Sequence, residues 1–192
     1  MASGPRPKRP DGKRAKPTLT ELINELLQAD RLDPLPLAAH AVQERLELAR
    51  TNWERALDVA STRPADYDFH FQTMYTGLLD SAGALVRALG YRVKGAEESH
   101  MMLFGLAATA LEAAHPVPAG KLISISDHAR RLRRRAVYDR SGTIGKIDRD
   151  FFFGEASVIM QAIELFACRQ AGLPIPGHDW EVQSDASRPT GS

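Results

Sequence analysis

The chain has 192 residues, room for one domain rather than two. At 43% hydrophobic and 26% charged residues it is globular in make-up, which excludes a collagen-like or low-complexity protein. Its net charge of +1 conceals an asymmetry: residues 1–17 hold six cations against Asp11 alone, a surplus of +5, so the remainder is −4.

Taken in order, residues 1–17 are rich in Pro, Gly, Lys and Arg, have no apolar periodicity and read as a disordered basic tail. Thr18 or Thr20 can cap a short helix running to about Gln28. Pro34 and Pro36 stand at the entrance of a long helix, where a missing N–H is harmless. Its apolar positions Val42, Leu46, Ala49, Trp53, Ala56 and Ala60 alternate spacings of four and three up to Pro64. The same spacing carries the next helix from about Asp66 to Leu89 through Phe71, Tyr75, Leu78, Ala82 and Leu85. Gly90 follows as its terminator, with Tyr91 able to fold back on the last turn.

A further helix runs from near Ala96 to before Pro116, using Leu103, Phe104, Ala107 and Leu111. Another starts near Lys121 with Leu122, Ile125, Ala129, Leu132 and Ala136 as its buried stripe, and 141–145 break the chain. The last helix starts at Asp148 to Asp150 and reaches Ala171 through Phe152, Ile159, Ile163 and Phe166. Residues 173–192 read as a flexible tail in which Trp180 alone can dock. No segment alternates with period two, so no sheet is expected. The predicted fold is all-α, an up-down bundle of five to six helices over 18–172.

The single Cys168 excludes an internal disulfide and, within an apolar helical pattern, reads as a buried thiol. No uninterrupted apolar run approaches the roughly 18 residues of a membrane span. No apolar stretch follows the basic residues at the start, so a cytoplasmic protein with no secretory signal and no membrane contact is expected. Asp66, Asp68 and His70 sit two apart, which on a helix points them to different faces and makes them helix-start charges rather than metal ligands. There is no paired-cysteine zinc pattern, Walker loop, GxGxxG or nucleophile elbow, so neither a metal nor a cofactor is expected.

The feature that stands out is basic. Arg130, Arg131, Arg133, Arg134 and Arg135 place five arginines within six residues, followed by Tyr138 and Asp139. With Leu132 as the core direction, Arg131, Arg134 and Tyr138 fall at about 260°, 200° and 240° on a helical wheel, one stripe facing outward with Asp127 on it. Asp127 can pair with Arg131, and Arg134 can stack on Tyr138, each four residues apart. A solvated helix end accounts for such a run, because arginines favour the partial negative charge of a helix C-terminus. Phosphate recognition accounts for it too, since several guanidinium forks on one stripe suit a polyanion. The basic tail would add salt-sensitive affinity for nucleic acid.

The segment Leu-Arg-Arg-Arg-Ala-Val-Tyr-Asp at 132–139, on the penultimate helix of an all-α bundle, resembles the signature region of HEPN domains. Ala82 to Tyr91 is similar to the end of that family's second long helix, and His100 falls where many members have a histidine. The aromatic start of the last helix fits as well, and the resemblance runs over roughly 35–171. It implies an RNA-associated protein, a homodimer in many members. Many are metal-independent endoribonucleases of toxin–antitoxin or antiphage systems, with an arginine followed four to six residues later by a histidine. Others are non-catalytic binding or adaptor subunits beside a nucleotidyltransferase, an antitoxin or another protein.

Carried over, the arginine position matches Arg133, with Arg131 as the six-residue alternative, and the histidine position is Tyr138. A tyrosine with pKa about 10 is a poor base where a histidine near 6.5 is a good one, so this Arg-x4-Tyr variant binds better than it cleaves. His100 and His128 are the candidate substitute bases, and Arg130, Arg131, Arg134 and Arg135 the candidate nucleic-acid contacts. Residues five apart lie about 140° apart around a helix. Arg133 and Tyr138 therefore converge only if the helix ends between them or a partner subunit supplies one. A scaffold without any nucleic-acid role is the remaining reading.

Overall fold

The computed structural model describes residues 16–95, 99–138 and 144–177, with side chains in the second stretch through Leu132. Most of both predicted tails (with Trp180), residues 139–143, and the side chains of Arg133, Arg134, Arg135, Ala136 and Tyr138 lie outside that description. The protein is an all-α helical bundle, with 76% of the described residues helical. Its elements are α1 (Leu19–Gln28), β1 (Leu32–Pro34), α2 (Ala39–Thr62), α3 (Tyr67–Ala88), β2 (Tyr91–Val93), α4 (Ser99–Leu111), α5 (Pro116–Tyr138) and α6 (Lys146–Ala171).

Thr18, not Thr20, caps α1 through a reciprocal box. Its hydroxyl accepts from Glu21 N (3.3 Å) while Glu21 accepts from Thr18 N (2.8 Å). Those bonds hold the Glu21 carboxyl below its ordinary pKa. Asp66 caps α3 by accepting from Phe69 N at 3.3 Å. The left-handed Gly172 (φ +66) ends α6, and Leu173 N closes onto the Cys168 carbonyl at 2.9 Å. Leu173 then packs on the cluster of Val42, Leu46, Ala84, Ala88, Ala167 and Cys168, so the chain stays docked beyond the expected domain edge.

The core is organised around α3, which is buried on most sides from His70 and Phe71 to Val86 and Ala88 and keeps Phe69, Gln72 and Thr76 exposed on one side of its first half. A helix with so wide an apolar face belongs inside a bundle. It runs antiparallel to α2, as the contacts of Gly77 with Ala49 and Asn52 and of Gly83 with Arg45 require. Gly77 permits the close approach: a Cβ there would lie 3.2 Å from the Ala49 carbonyl oxygen. On another side, Phe71 meets Phe152 of α6 edge-on at 4.9 Å, and Trp53 of α2 meets Phe153 at 5.6 Å. A buried Arg50–Glu164 ion pair ties α2 to α6. Helix α5 lies antiparallel to α6, with Lys121 on Glu155 (2.9 Å) and His128 on Asp148 (3.4 Å). Helix α6 is the one described helix long and apolar enough to cross a membrane, and 56% of its apolar window is buried in the bundle.

Four local expectations change. First, a two-stranded antiparallel ribbon exists, pairing Leu32 with Val93, Asp33 with Arg92 and Pro34 with Tyr91. Three-residue strands are too short for alternation to register in the sequence. Cross-strand charge supports the ribbon: Arg92 and Lys94 both reach Asp33 at 2.8 Å, and Lys94 and Arg92 pull its carboxyl pKa down. Second, α5 begins at Pro116, five residues before the expected Lys121. Pro116 and Pro118 occupy its first turn, where proline lacks nothing the helix uses. Third, α6 begins at Lys146, ahead of Asp148. Fourth, Val59 rather than Ala60 is the last buried position of α2.

Two outcomes test this packing. Phe152→Ala, which empties the junction of α3 and α6, should cost about 3–5 kcal/mol in urea unfolding; a loss below ~1 kcal/mol would place the core elsewhere. Asp80, between α2 and α3, accepts from Asn52 at 3.0 Å with Arg45 at 4.0 Å. Burial nonetheless pushes its carboxyl pKa up. An acid with a raised native pKa contributes stability below its unfolded pKa and loses it as pH rises through the native value. Asp80→Asn should therefore match or exceed the wild-type Tm near neutral pH, with the wild type catching up below the ordinary aspartate pKa of ~3.9. A variant clearly less stable near neutrality would contradict this.

Candidate nucleic-acid interface

Helix α5 is fixed by what it buries. Leu122, Ile125, Ala129 and Leu132 form its inward stripe, each 2% exposed or less. That stripe turns Arg131 to solvent, as the helical spacing predicted, and leaves Arg130 beside it exposed as well. Asp127 contacts Arg130 at 3.8 Å, three residues on, rather than Arg131 at four. Among the described residues Arg131 has no ion-pair partner. The last described turns thus present two exposed guanidinium groups with one carboxylate beside them.

The backbone of α5 continues as regular helix through Tyr138. This removes the first route by which Arg133 and Tyr138 were expected to converge, a helix end between them. Within one chain those positions stay about 140° apart. A second chain is the route that remains.

The two candidate substitute bases have different settings. His100, in the first turn of α4, holds the Tyr75 hydroxyl at its Nδ1 (3.1 Å), with the rings 5.7 Å apart. This ties the start of α4 to α3, a structural use of the ring. His128 lies between α5 and α6. Its Nε2 is 3.4 Å from Asp148 Oδ1, and Phe151 packs edge-on at 5.6 Å. That nitrogen is shut off from solvent and makes no hydrogen bond, while a quarter of the side chain (25%) remains exposed.

Asp66, Asp68 and His70 go to three separate partners. Asp66 caps α3, Asp68 accepts from Ile144 N at 3.2 Å, and His70 Nε2 donates to the Arg63 carbonyl at 2.9 Å. A cleft of about 840 Å³ lies between the α2–α3 turn and the start of α6, lined by Arg63, Tyr67, Asp68 and Ile144. Cys168 is buried, and burial with the nearby Glu164 raises its thiol pKa, which leaves it inert.

One surface was not anticipated from the sequence. Ile147, Phe151 and Val158 of α6 are 85%, 49% and 41% exposed. They recur at spacings of four and seven, with the exposed Gly154 between them, and so form a stripe on one helix face. The signal was present as an apolar residue on almost every side of α6, which conceals a second face behind the core one. Comparison of the chain with family models, with curated proteins and with solved structures returns no match.

Proposed function

We propose that this is a cytoplasmic, RNA-associated protein of the HEPN type that contacts RNA phosphates through the basic end of α5, and that it acts as a metal-independent endoribonuclease of a toxin–antitoxin or antiphage kind. The observation that carries the reading is the exposure of Arg130 and Arg131 on a body whose net charge outside residues 1–17 is −4. On an otherwise acidic body, five arginines in six residues make a local positive field that suits a polyanion. Arg133, Arg134, Arg135 and Tyr138 extend the same helix, with Tyr138 a hydrogen-bond donor or stacking surface rather than a base.

The reading includes a homodimer. The apolar stripe of Ile147, Phe151 and Val158 supports a protein partner on α6. A second copy is the partner that would also bring one chain's Arg133 toward the other's Tyr138. The second reading is a non-catalytic adaptor whose α6 stripe seats a nucleotidyltransferase or an antitoxin. The same stripe favours it.

RNA affinity measured by fluorescence anisotropy should fall with salt at a slope of about −0.7 per neutralised phosphate. Arg130→Ala combined with Arg131→Ala should flatten that slope by about one to two units of contact without moving Tm, since both side chains are exposed. Affinity that ignores salt would leave only the adaptor. In light scattering, Ile147→Asp should convert a dimer to a monomer; a wild type already monomeric at high concentration would end the homodimer reading.

A further inference from the structure

We infer that a cavity between α2, the C-terminal end of α6 and the segment that follows it is a binding site for a free α-amino acid with an apolar side chain. The inference is independent of the RNA reading and uses none of its residues.

The cavity holds about 220 Å³. Glu47 and Arg50 line it from α2, Glu164 and Cys168 line it from α6, and Leu173 to Pro176 form a further wall. That wall is tied to the bundle. Leu173 N donates to the Cys168 carbonyl at 2.9 Å, and the Leu173 side chain packs on the cluster of Val42, Leu46 and Cys168. Pro174 and Pro176 fix φ along the rest of the segment. The site is therefore formed before a ligand arrives, and it is smaller than the roughly 300–1,000 Å³ of drug-sized pockets.

Its charges are of both signs. Arg50 gives Nη2 to the carboxylate of Glu164, which is 3% exposed. A guanidinium has five N–H donors, and this is the side chain's one hydrogen bond among the described residues. About a third of the Arg50 side chain (31%) stays accessible. Glu47 stands one turn earlier on the same helix, a neighbouring position about 5–6 Å away between Cβ atoms. Its Oε1 accepts from Gln43 Nε2 at 2.9 Å, and among the described residues it has no cation partner.

Arg50, Glu164 and Glu47 together sum to −1. A simple anion would meet two carboxylates, and a simple cation would leave the remaining Arg50 donors without an acceptor. A zwitterion satisfies both sides. Its carboxylate accepts charge-assisted bonds from Arg50 without displacing Glu164, whose burial requires a partner. Its ammonium donates to Glu47. An α-amino acid carries those two groups on one carbon, which suits charges presented from neighbouring helix positions. The third substituent of that carbon then lies against Leu46, Leu173 and Ile175. Ile175 is 48% exposed in the empty cavity, so covering it with an apolar side chain is favourable.

The test uses the full chain and L-leucine, followed by titration calorimetry and by thermal unfolding. Binding should be saturable, and Tm should rise with leucine concentration. Glycine lacks the apolar side chain, N-acetyl-L-leucine the ammonium and L-leucinamide the carboxylate; each should bind at least about tenfold more weakly. Glu47→Gln should weaken leucine binding about 10- to 100-fold and leave the unliganded Tm unchanged, because Glu47 is exposed. Ile175→Asp should weaken it comparably from the apolar side. A wild type with no saturable leucine binding would overturn the inference. So would leucinamide or N-acetyl-leucine binding as tightly as leucine, or undiminished leucine affinity in Glu47→Gln.

Discussion

The structure depends on one constraint, the burial of α3 on most of its sides, with Phe69, Gln72 and Thr76 its exposed residues. A helix with so wide a buried face must be covered by several neighbours. Helix α2 covers one, α6 a second and α4 a third, where Phe104 meets Tyr75 edge-on at 5.9 Å. Small residues make this close packing feasible: Gly77, Ser81, Ala82, Gly83 and Ala84 lie within the buried part of α3. The Thr73 hydroxyl, buried with it, donates to the Phe69 carbonyl at 2.9 Å. Helix α5, one layer out, packs on what α3 and its neighbours leave uncovered.

That outer position decides the electrostatics of the candidate interface. A helix packed on one side can keep Arg130 and Arg131 beside a core stripe, because their charges reach water. Leu132 supplies the anchor within the run. It fixes the rotation of α5, and rotation alone determines that Arg130 and Arg131 face outward and that His128 turns toward α6. The same register brings Asp148, at the start of α6, within reach of the His128 ring. The basic face and the histidine–aspartate contact are thus two consequences of one packing choice.

Much of the fold was legible because helical periodicity is a local property with a strong signal. The stripe Val42, Leu46, Ala49, Trp53 and Ala56 is buried in α2, and Phe71, Tyr75, Leu78, Ala82 and Leu85 are buried in α3. Gly90, read as the terminator of α3, sits at φ +85, the conformation its residue type suggested. Boundaries were less legible. A proline reads as a helix breaker in isolation, and only the helix that follows Pro116 reveals it as a first-turn residue. The ribbon of Leu32–Pro34 with Tyr91–Val93 pairs segments far apart in sequence, so its signal is not local at all.

By itself the sequence determined the class of fold, the inward stripe of each long helix and the outward direction of Arg131, since each follows from residue spacing along one helix. The pairing of Asp127 with Arg130, the meeting of His128 with Asp148 and Phe151, the use of His100 to hold Tyr75, and the exposed stripe on α6 were decided by tertiary structure alone. Those depend on rotamers and on which helices stand side by side. Distances between elements are set by packing, and packing is not written in the period of any one helix.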